Sequence, residues 1–201
     1  MACVHIYCGD GKGKTSAAVG LAIRAAGRGI PVIMTRFMKN DDSGEIASLT
    51  AIPGIYVIPS RKSFGFYKNM TAEQKREAGL YYRELLEEAW RMAADAAGAG
   101  GEDVSGSAGG PKAVKKAVSS SNGHVTALLV LDEIAAACSC GFADVPRLAQ
   151  LLDGRPPGLE VVMTGRNPAP ELLGRADYIS EIWKVKHPYD EGISARRGIE
   201  Y

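Results

Sequence analysis

The chain has 201 residues, 46% of them hydrophobic, enough for one globular domain with a buried core. Lys and Arg number 24 against 23 Asp and Glu, so there is neither a basic surplus that would argue for nucleic acid nor an acidic tail. No apolar stretch reaches membrane-spanning length, and the start, Met-Ala-Cys-Val-His, lacks a charged region followed by an apolar run, so neither a membrane span nor a signal peptide is expected. Cys3, Cys8, Cys138 and Cys140, with only three histidines, do not have zinc-knuckle spacing. Free thiols in a cytoplasmic protein are the expectation.

Val4-His5-Ile6-Tyr7 is a short apolar run with strand character, and residues 17–26 are helical in pattern. Between them stands Cys8-Gly9-Asp10-Gly11-Lys12-Gly13-Lys14-Thr15-Ser16. A strand, a Gly-rich turn and a helix opening on Gly-Lys-Thr is the context a P-loop requires. Glycines let consecutive backbone N–H groups turn inward, and the new helix aims its free N–H groups and positive dipole end at the same point. Lys14 adds a mobile charge for phosphate oxygens, and Thr15 a hydroxyl for Mg²⁺. The pattern G-x-x-x-x-G-K-[ST] fails at one position, where Cys8 replaces the first Gly; Gly9 and Gly11 beside it supply the turn freedom. A plain Gly/Lys-rich surface loop seldom sits between an apolar strand and an amphipathic helix.

Gly27-Arg28-Gly29 stops the first helix. Residues 31–37 read as a second buried strand, running into a polar loop over 38–45. Loops at the carboxyl ends of parallel strands line the ligand crevice, which makes Lys39 and Asn40 site candidates; the alternative is a solvated loop. A short helix begins at Ile46, and residues 55–58 form a third strand. Phe64, Phe66 and Tyr67 crowd three rings into four residues, either as a hydrophobic staple or partner contact or as a flat apolar ligand contact. Thr71-Ala72-Glu73-Gln74 is a capping box. The helix it opens runs to about Ala97, with Leu80, Leu85, Leu86, Ala89, Met92, Ala93 and Ala96 as its apolar face.

Residues 98–123 are Gly/Ser-rich and cannot bury enough apolar surface to offset chain entropy. They read as a mobile insertion in a single domain spanning 1–201, because both flanks look like parts of one sheet. Residues 125–131 are an almost wholly apolar strand that ends on Asp132-Glu133. A buried parallel strand ending in Asp is how a P-loop enzyme holds its Mg²⁺ shell. Glu133 either ligates metal, orients a water or reaches substrate. A helix over 145–152 has Asp144 at its N-cap. The strand over 159–164 leads into Gly165-Arg166, which puts Arg166 on the same edge as the P-loop and within reach of phosphate. A short helix over 170–176, a strand over 178–183 and a polar tail of the kind often disordered complete the chain. The expected fold is α/β, of P-loop NTPase (RecA-like) type, a mostly parallel sheet flanked by helices.

Gly-Asp-Gly-Lys-Gly-Lys-Thr, Leu-Asp-Glu, Thr-Gly-Arg, Val-Lys-His-Pro-Tyr-Asp-Glu-Gly and the terminal Arg-Gly-Ile-Glu-Tyr together closely resemble the ATP:corrinoid adenosyltransferases of the CobA/CobO/BtuR type. The resemblance covers nearly the whole chain outside the Gly/Ser insertion. It implies transfer of the 5′-deoxyadenosyl group of ATP to the Co(I) centre of a corrinoid, releasing triphosphate, in adenosylcobalamin biosynthesis or salvage. By the same resemblance, Gly9, Asp10, Gly11, Lys12, Gly13, Lys14, Thr15 and Ser16 bind the triphosphate. Thr15, Asp132 and Glu133 serve Mg²⁺, and Lys14, Thr15, Glu133 and Arg166 stabilise the leaving group. Arg24 matches an arginine of the family's first helix, and Phe66 an aromatic that faces the corrin. Where the family has a Phe and a Trp two residues apart, this chain has Phe64-Gly65-Phe66-Tyr67-Lys68, which keeps the number of rings and leaves open which of them takes the Trp role. Its extension before the first strand, which helps cover the site, has no counterpart in this sequence. A homodimer, a flavoprotein reductase as partner and a cytoplasmic location are implied in the same way. A conventional P-loop phosphotransferase or ATPase is the alternative on the motifs alone.

Overall fold

A computed structural model describes residues 1–39, 42–98 and 124–200. Its centre is one six-stranded sheet built from β1 (Val4–Cys8), β2 (Val32–Arg36), β3 (Ile55–Val57), β4 (Ala127–Asp132), β5 (Leu159–Thr164) and β6 (Tyr178–Glu181). The order is β3-β2-β4-β5-β1-β6, and every pairing is parallel. Helices α1 (Lys14–Ala26), α2 (Gly44–Thr50), α3 (Ala72–Gly98), α4 (Ile134–Ser139), α5 (Val145–Asp153) and α6 (Pro170–Leu173) make the connections.

The period of two along each strand divides the core into two halves. Val4, Ile6, Ile33, Leu129, Leu131, Val161 and Met163 point to one face, where α3 contributes Tyr82, Leu86, Ala89 and Ala93. Val32, Met34, Leu128, Val130 and Val162 point to the other, against Ala18, Ala22 and Ala25 of α1 and Leu49 of α2. Central strands covered on both faces are apolar along most of their length, and β2 and β4 are buried at every position, with polar residues only at their carboxyl ends, Thr35, Arg36 and Asp132. This is the expected α/β architecture of P-loop NTPase type. It brings the carboxyl ends of β1, β2, β4 and β5 to one edge, where ligands bind in such sheets.

The capping box forms as expected: Thr71 N donates to Gln74 Oε1 at 2.9 Å, and Gln74 N to Thr71 Oγ1 at 3.2 Å. Such a cap contributes about 1 kcal/mol to the start of α3. The apolar face of α3 differs from the expected one. Leu80 is 54% exposed, because it lies two residues from both Ala78 and Tyr82 and so on the far side of the helix. Tyr82 and Trp90 take the buried positions instead. Asp144 stands at the N-cap of α5 without a side-chain capping bond. The larger shifts in element ends are at α2, which starts earlier, at Gly44, and at α6 and β6, which stop at Leu173 and Glu181. The expected insertion, apart from Gly98 at the end of α3, and Asn40 lie outside the described residues.

The tail departs furthest from expectation. It forms a short 3₁₀ turn at Pro188–Glu191 and then returns to the P-loop. There Lys12 Nζ meets Glu200 Oε1 at 3.2 Å, and Arg196 Nη2 meets the same oxygen at 2.9 Å.

Candidate active site

Cys8 is the last residue of β1 and is buried. The first Gly of the motif is dispensable here because the strand runs through position 8 and the chain turns at Gly9, whose φ is 99°. Gly13 takes the second left-handed position, with φ 122°, and α1 starts immediately after it at Lys14. The N-terminus of α1 directs free backbone N–H groups at one point, which suits an anion. Lys14 is almost buried, and its Nζ donates to the carbonyl of Gly11 at 2.7 Å. Burial pulls its pKa below the ordinary lysine value, while the nearby Glu133 carboxylate acts in the opposite direction.

Not every residue of the loop faces the same way. Gly11 N–H donates to the carbonyl of Ile182 at 2.8 Å, so it is taken up by the chain leaving β6 instead of joining the anion nest. Asp10 is exposed, and its Oδ1 accepts the amide of Lys184 at 2.9 Å; that bond, ahead of the Lys184 and Arg166 charges, holds its carboxyl below the usual value. Both residues tie the loop to the segment after β6. Gly11 also lines the cleft in front of the loop.

Behind the loop, Asp132 is fully buried at the end of β4. Its Oδ1 accepts from Thr15 Oγ1 at 2.8 Å and from Thr164 Oγ1 at 2.7 Å, and its Oδ2 accepts from Lys39 Nζ at 2.7 Å. Lys39 Nζ also donates to Thr15 Oγ1 at 3.0 Å. Glu133 follows in the left-handed region, φ 61°, with its amide bound to Thr164 Oγ1 at 2.8 Å. Lys39, a site candidate from its place in the loop after β2, thus belongs to this group. Thr164, which fixes both Asp132 and Glu133, had no assigned role, although its position at the end of β5 was the available signal.

No group of three or more His, Cys, Asp or Glu side chains converges among the described residues. Mg²⁺ does not need one, since it is held by one or two carboxylates with waters and substrate phosphates. Thr15 and Asp132 pass a direct test of fit, because their oxygens already converge on a single cation, the Lys39 ammonium.

A cleft of about 830 Å³ opens in front of these groups. Gly13, Lys14, Thr15, Ser16 and Glu133 form one end, Val19, Gly20 and Ile23 of α1 form a wall, and Gly198, Ile199 and Glu200 of the tail close one side. Phe64 and Phe66 both line it, but only Phe66 offers a free ring, at 84% exposure. Phe64 packs on Tyr81 and Tyr82, with ring centroids 5.7 and 5.9 Å apart, and Tyr67 packs on Phe142 at 5.5 Å with Lys75 over its other side. Arg166 is exposed beside the loop, close enough for its charge to act on Lys14 and Asp10, but it does not line the cleft. Arg24 is exposed in the last turn of α1, about 15 Å of helix from Lys14, and does not line it either.

The family model for ATP:corrinoid adenosyltransferase BtuR/CobO/CobP matches residues 1–201. Among curated proteins, a corrinoid adenosyltransferase of Pseudomonas aeruginosa is 30% identical over 200 residues, covering 98% of this chain and 82% of that one. One from Escherichia coli K12 is 28% identical over 199 residues, covering 98% and 85%. Corrinoid adenosyltransferase CobA of Salmonella typhimurium is 27% identical over 199 residues, with the same coverage. Among solved structures, EssC (ATPases 2 and 3) from Geobacillus thermodenitrificans aligns with a TM-score of 0.44 at 14% identity, over 98% of this chain and 35% of that one. A likeness that low carries nothing further.

Proposed function

The chain belongs to the ATP:corrinoid adenosyltransferase family, and from that premise we propose that it transfers the 5′-deoxyadenosyl group of ATP to the Co(I) of a corrinoid and releases triphosphate. The observation that carries the reading is the cleft itself, with a phosphate-type grip at one end and a bare aromatic face, Phe66, along the same wall system. In the reaction, the electron pair of Co(I) forms the bond to the ribose C5′. The C5′–O bond breaks, its electrons leave with the triphosphate, and cobalt ends as Co(III). Because cobalt is the nucleophile, the protein needs no nucleophilic side chain. Its work is positioning and charge stabilisation.

The backbone amides at the start of α1, around Gly13 to Ser16, bind the triphosphate. Lys14 exchanges its bond to the Gly11 carbonyl for phosphate oxygens and meets the charge that builds on the departing group. Lys12, which lines the cleft, and Arg166, beside the loop, add longer-range positive charge. Thr15 and Asp132, with Glu133 beside them, would hold Mg²⁺, which would supply further charge neutralisation on the triphosphate. Phe66 lies against the corrin and favours loss of the lower axial ligand, which makes Co(II) easier to reduce. Arg24 lies outside the cleft and is given no part in the transfer. A flavoprotein reductase supplies the electron, and the single domain works as a cytoplasmic homodimer; these three assignments come from the family resemblance.

The test is a product assay. Purified protein with ATP, Mg²⁺ and chemically reduced cobalamin is expected to give light-sensitive adenosylcobalamin and one equivalent of triphosphate. ADP and phosphate without a cobalt–carbon bond would instead establish a conventional P-loop ATPase or phosphotransferase.

A further inference from the structure

Lys39 places its ammonium where a divalent cation would have to sit. It bonds Asp132 Oδ2 at 2.7 Å and Thr15 Oγ1 at 3.0 Å, and these are the two residues assigned above to Mg²⁺. Asp132 is 0% exposed, and a carboxylate so placed needs a counter-charge. Its Oδ1 is already bonded to two hydroxyls, from Thr15 and Thr164, neither of which carries charge. The lysine therefore supplies the charge. Mg²⁺ bound to those same oxygens at about 2.0–2.1 Å would stand no more than about 5 Å from the ammonium, so the two cations compete for one place.

The backbone around Lys39 is anchored, while its side chain is partly open to solvent, at 29% exposure. Met38 takes the left-handed conformation, φ 56°, where the chain leaves β2, and the Ser60 hydroxyl donates to the Lys39 carbonyl at 3.4 Å. Lys39 also lines the cleft assigned to ATP, so an ammonium leaving Asp132 stays in the same space.

We propose that Lys39 is a displaceable placeholder for the metal, a positioning residue that keeps Thr15 and Asp132 in their liganding arrangement and leaves Asp132 when the cation enters. The inference rests on the assignment of the metal to Thr15 and Asp132. It has a consequence for the order of binding. Metal alone binds poorly, because it trades one cation for another and strands an ammonium in the cleft that the Lys14 charge also lines. The metal–nucleotide complex avoids that penalty, because the triphosphate gives the released ammonium new partners. The cation therefore enters as its nucleotide complex.

The test uses Mn²⁺ as the probe, with free Mn²⁺ read by electron paramagnetic resonance on the nucleotide-free full chain. Lys39→Met is expected to bind Mn²⁺ about tenfold more tightly than the unsubstituted chain, and its melting temperature to rise on Mn²⁺ addition. Lys39→Arg keeps the charge and should stay near the unsubstituted level. Excess non-reactive ATP analogue should narrow the gap between the Met variant and the unsubstituted chain. If Lys39→Met does not fold, Lys39→Gln, a neutral donor of similar reach, takes its place in the comparison. A purely structural ion pair would lose Mn²⁺ affinity on substitution or leave it unchanged, so either result overturns the proposal. Asp132→Asn separates the two levels: Mn²⁺ binding that survives it in the presence of the analogue refutes the metal assignment itself. Binding that depends on Asp132 but ignores Lys39 refutes only the placeholder.

Discussion

The amide of Gly11 donates to the carbonyl of Ile182 at 2.8 Å, which makes the P-loop a docking surface for the chain leaving β6 as well as the proposed phosphate grip. A Cβ on Gly11 would meet the carbonyl carbon and oxygen of Trp183 at 2.7 Å, and one on Gly9 would overlap the Ile182 carbonyl oxygen outright. A Cβ on Gly13 would meet nothing within 4 Å. Gly9→Ala combines overlap with a left-handed φ and is expected to be the most destabilising of the three, by about 3 kcal/mol or a melting-temperature drop of roughly 6–12 °C. Gly13→Ala carries only the conformational strain, about 1–2 kcal/mol. Thermal unfolding of the three Ala variants without nucleotide checks the order. Gly13→Ala as the least stable of the set would contradict it.

How far the sequence could be read depended on whether a residue's role is local. The P-loop, β4 and the capping box were legible because each is a contiguous pattern with one physical meaning: an anion nest before a helix, a strand buried on both faces, a reciprocal pair of bonds across one turn. The partner of Lys39 was not, because Asp132 lies 93 positions away and only the β2–β4 register brings them together. The docking of the tail was invisible for the same reason. Its polar, Gly-containing composition shows no periodicity, and Lys12 and Glu200 are 188 positions apart. Within the aromatic cluster, composition counted the rings but did not sort them; contacts to Tyr81, Tyr82 and Phe142 take Phe64 and Tyr67 into the core and leave Phe66 outside.

That sorting separates stability from transfer. Phe66→Ala removes a ring 84% exposed to solvent and should change stability by less than about 0.5 kcal/mol. Phe64→Ala opens a gap beside Tyr81 and Tyr82 and should cost roughly 2–4 kcal/mol. In adenosylation assays, Phe66→Ala should lose more rate with Co(II) corrinoid and a reductant than with pre-formed Co(I). Equal losses from both starting states would remove the ligand-loss role given to this ring.

Lys14 puts binding and stability in opposition. Burial pulls its pKa below the ordinary 10.5, so the charged form costs folding free energy at neutral pH, and that cost fades as the pH rises from the lowered value towards 10.5. Lys14→Met keeps most of the stem and removes the charge. Its melting temperature without nucleotide should equal or exceed that of the unsubstituted chain, with the difference shrinking on the alkaline side. ATP affinity should fall roughly tenfold to a hundredfold, the effect of losing a charged hydrogen bond to phosphate. Calorimetric titration with ATP and a thermal scan of the same samples decide the matter. A variant that melts several degrees lower would show that the bond to the Gly11 carbonyl holds the loop together.

Glu200 gives the tail a defined pH range. The Arg196 guanidinium, then the Arg196 amide and Lys12, hold its carboxyl down at about 2, against an ordinary value of 4.5. A carboxylate depressed in the folded state contributes stability that is complete above its ordinary value and is lost as the pH falls through its folded value. Docking of the tail on Lys12 should therefore be intact at pH 5 and above and weaken between about pH 4.5 and 2. Carbon-detected magnetic resonance of the Glu200 carboxyl should show a midpoint near 2, with exchange of the Ile199 amide accelerating over the same range. Glu200→Gln should leave that amide fast at every pH and, at neutral pH, open Arg196 and Arg197 to trypsin. A Glu200 midpoint near 4.5, or a Gln variant as resistant to trypsin as the unsubstituted chain, would mean that the tail is held on the P-loop by something other than this carboxylate.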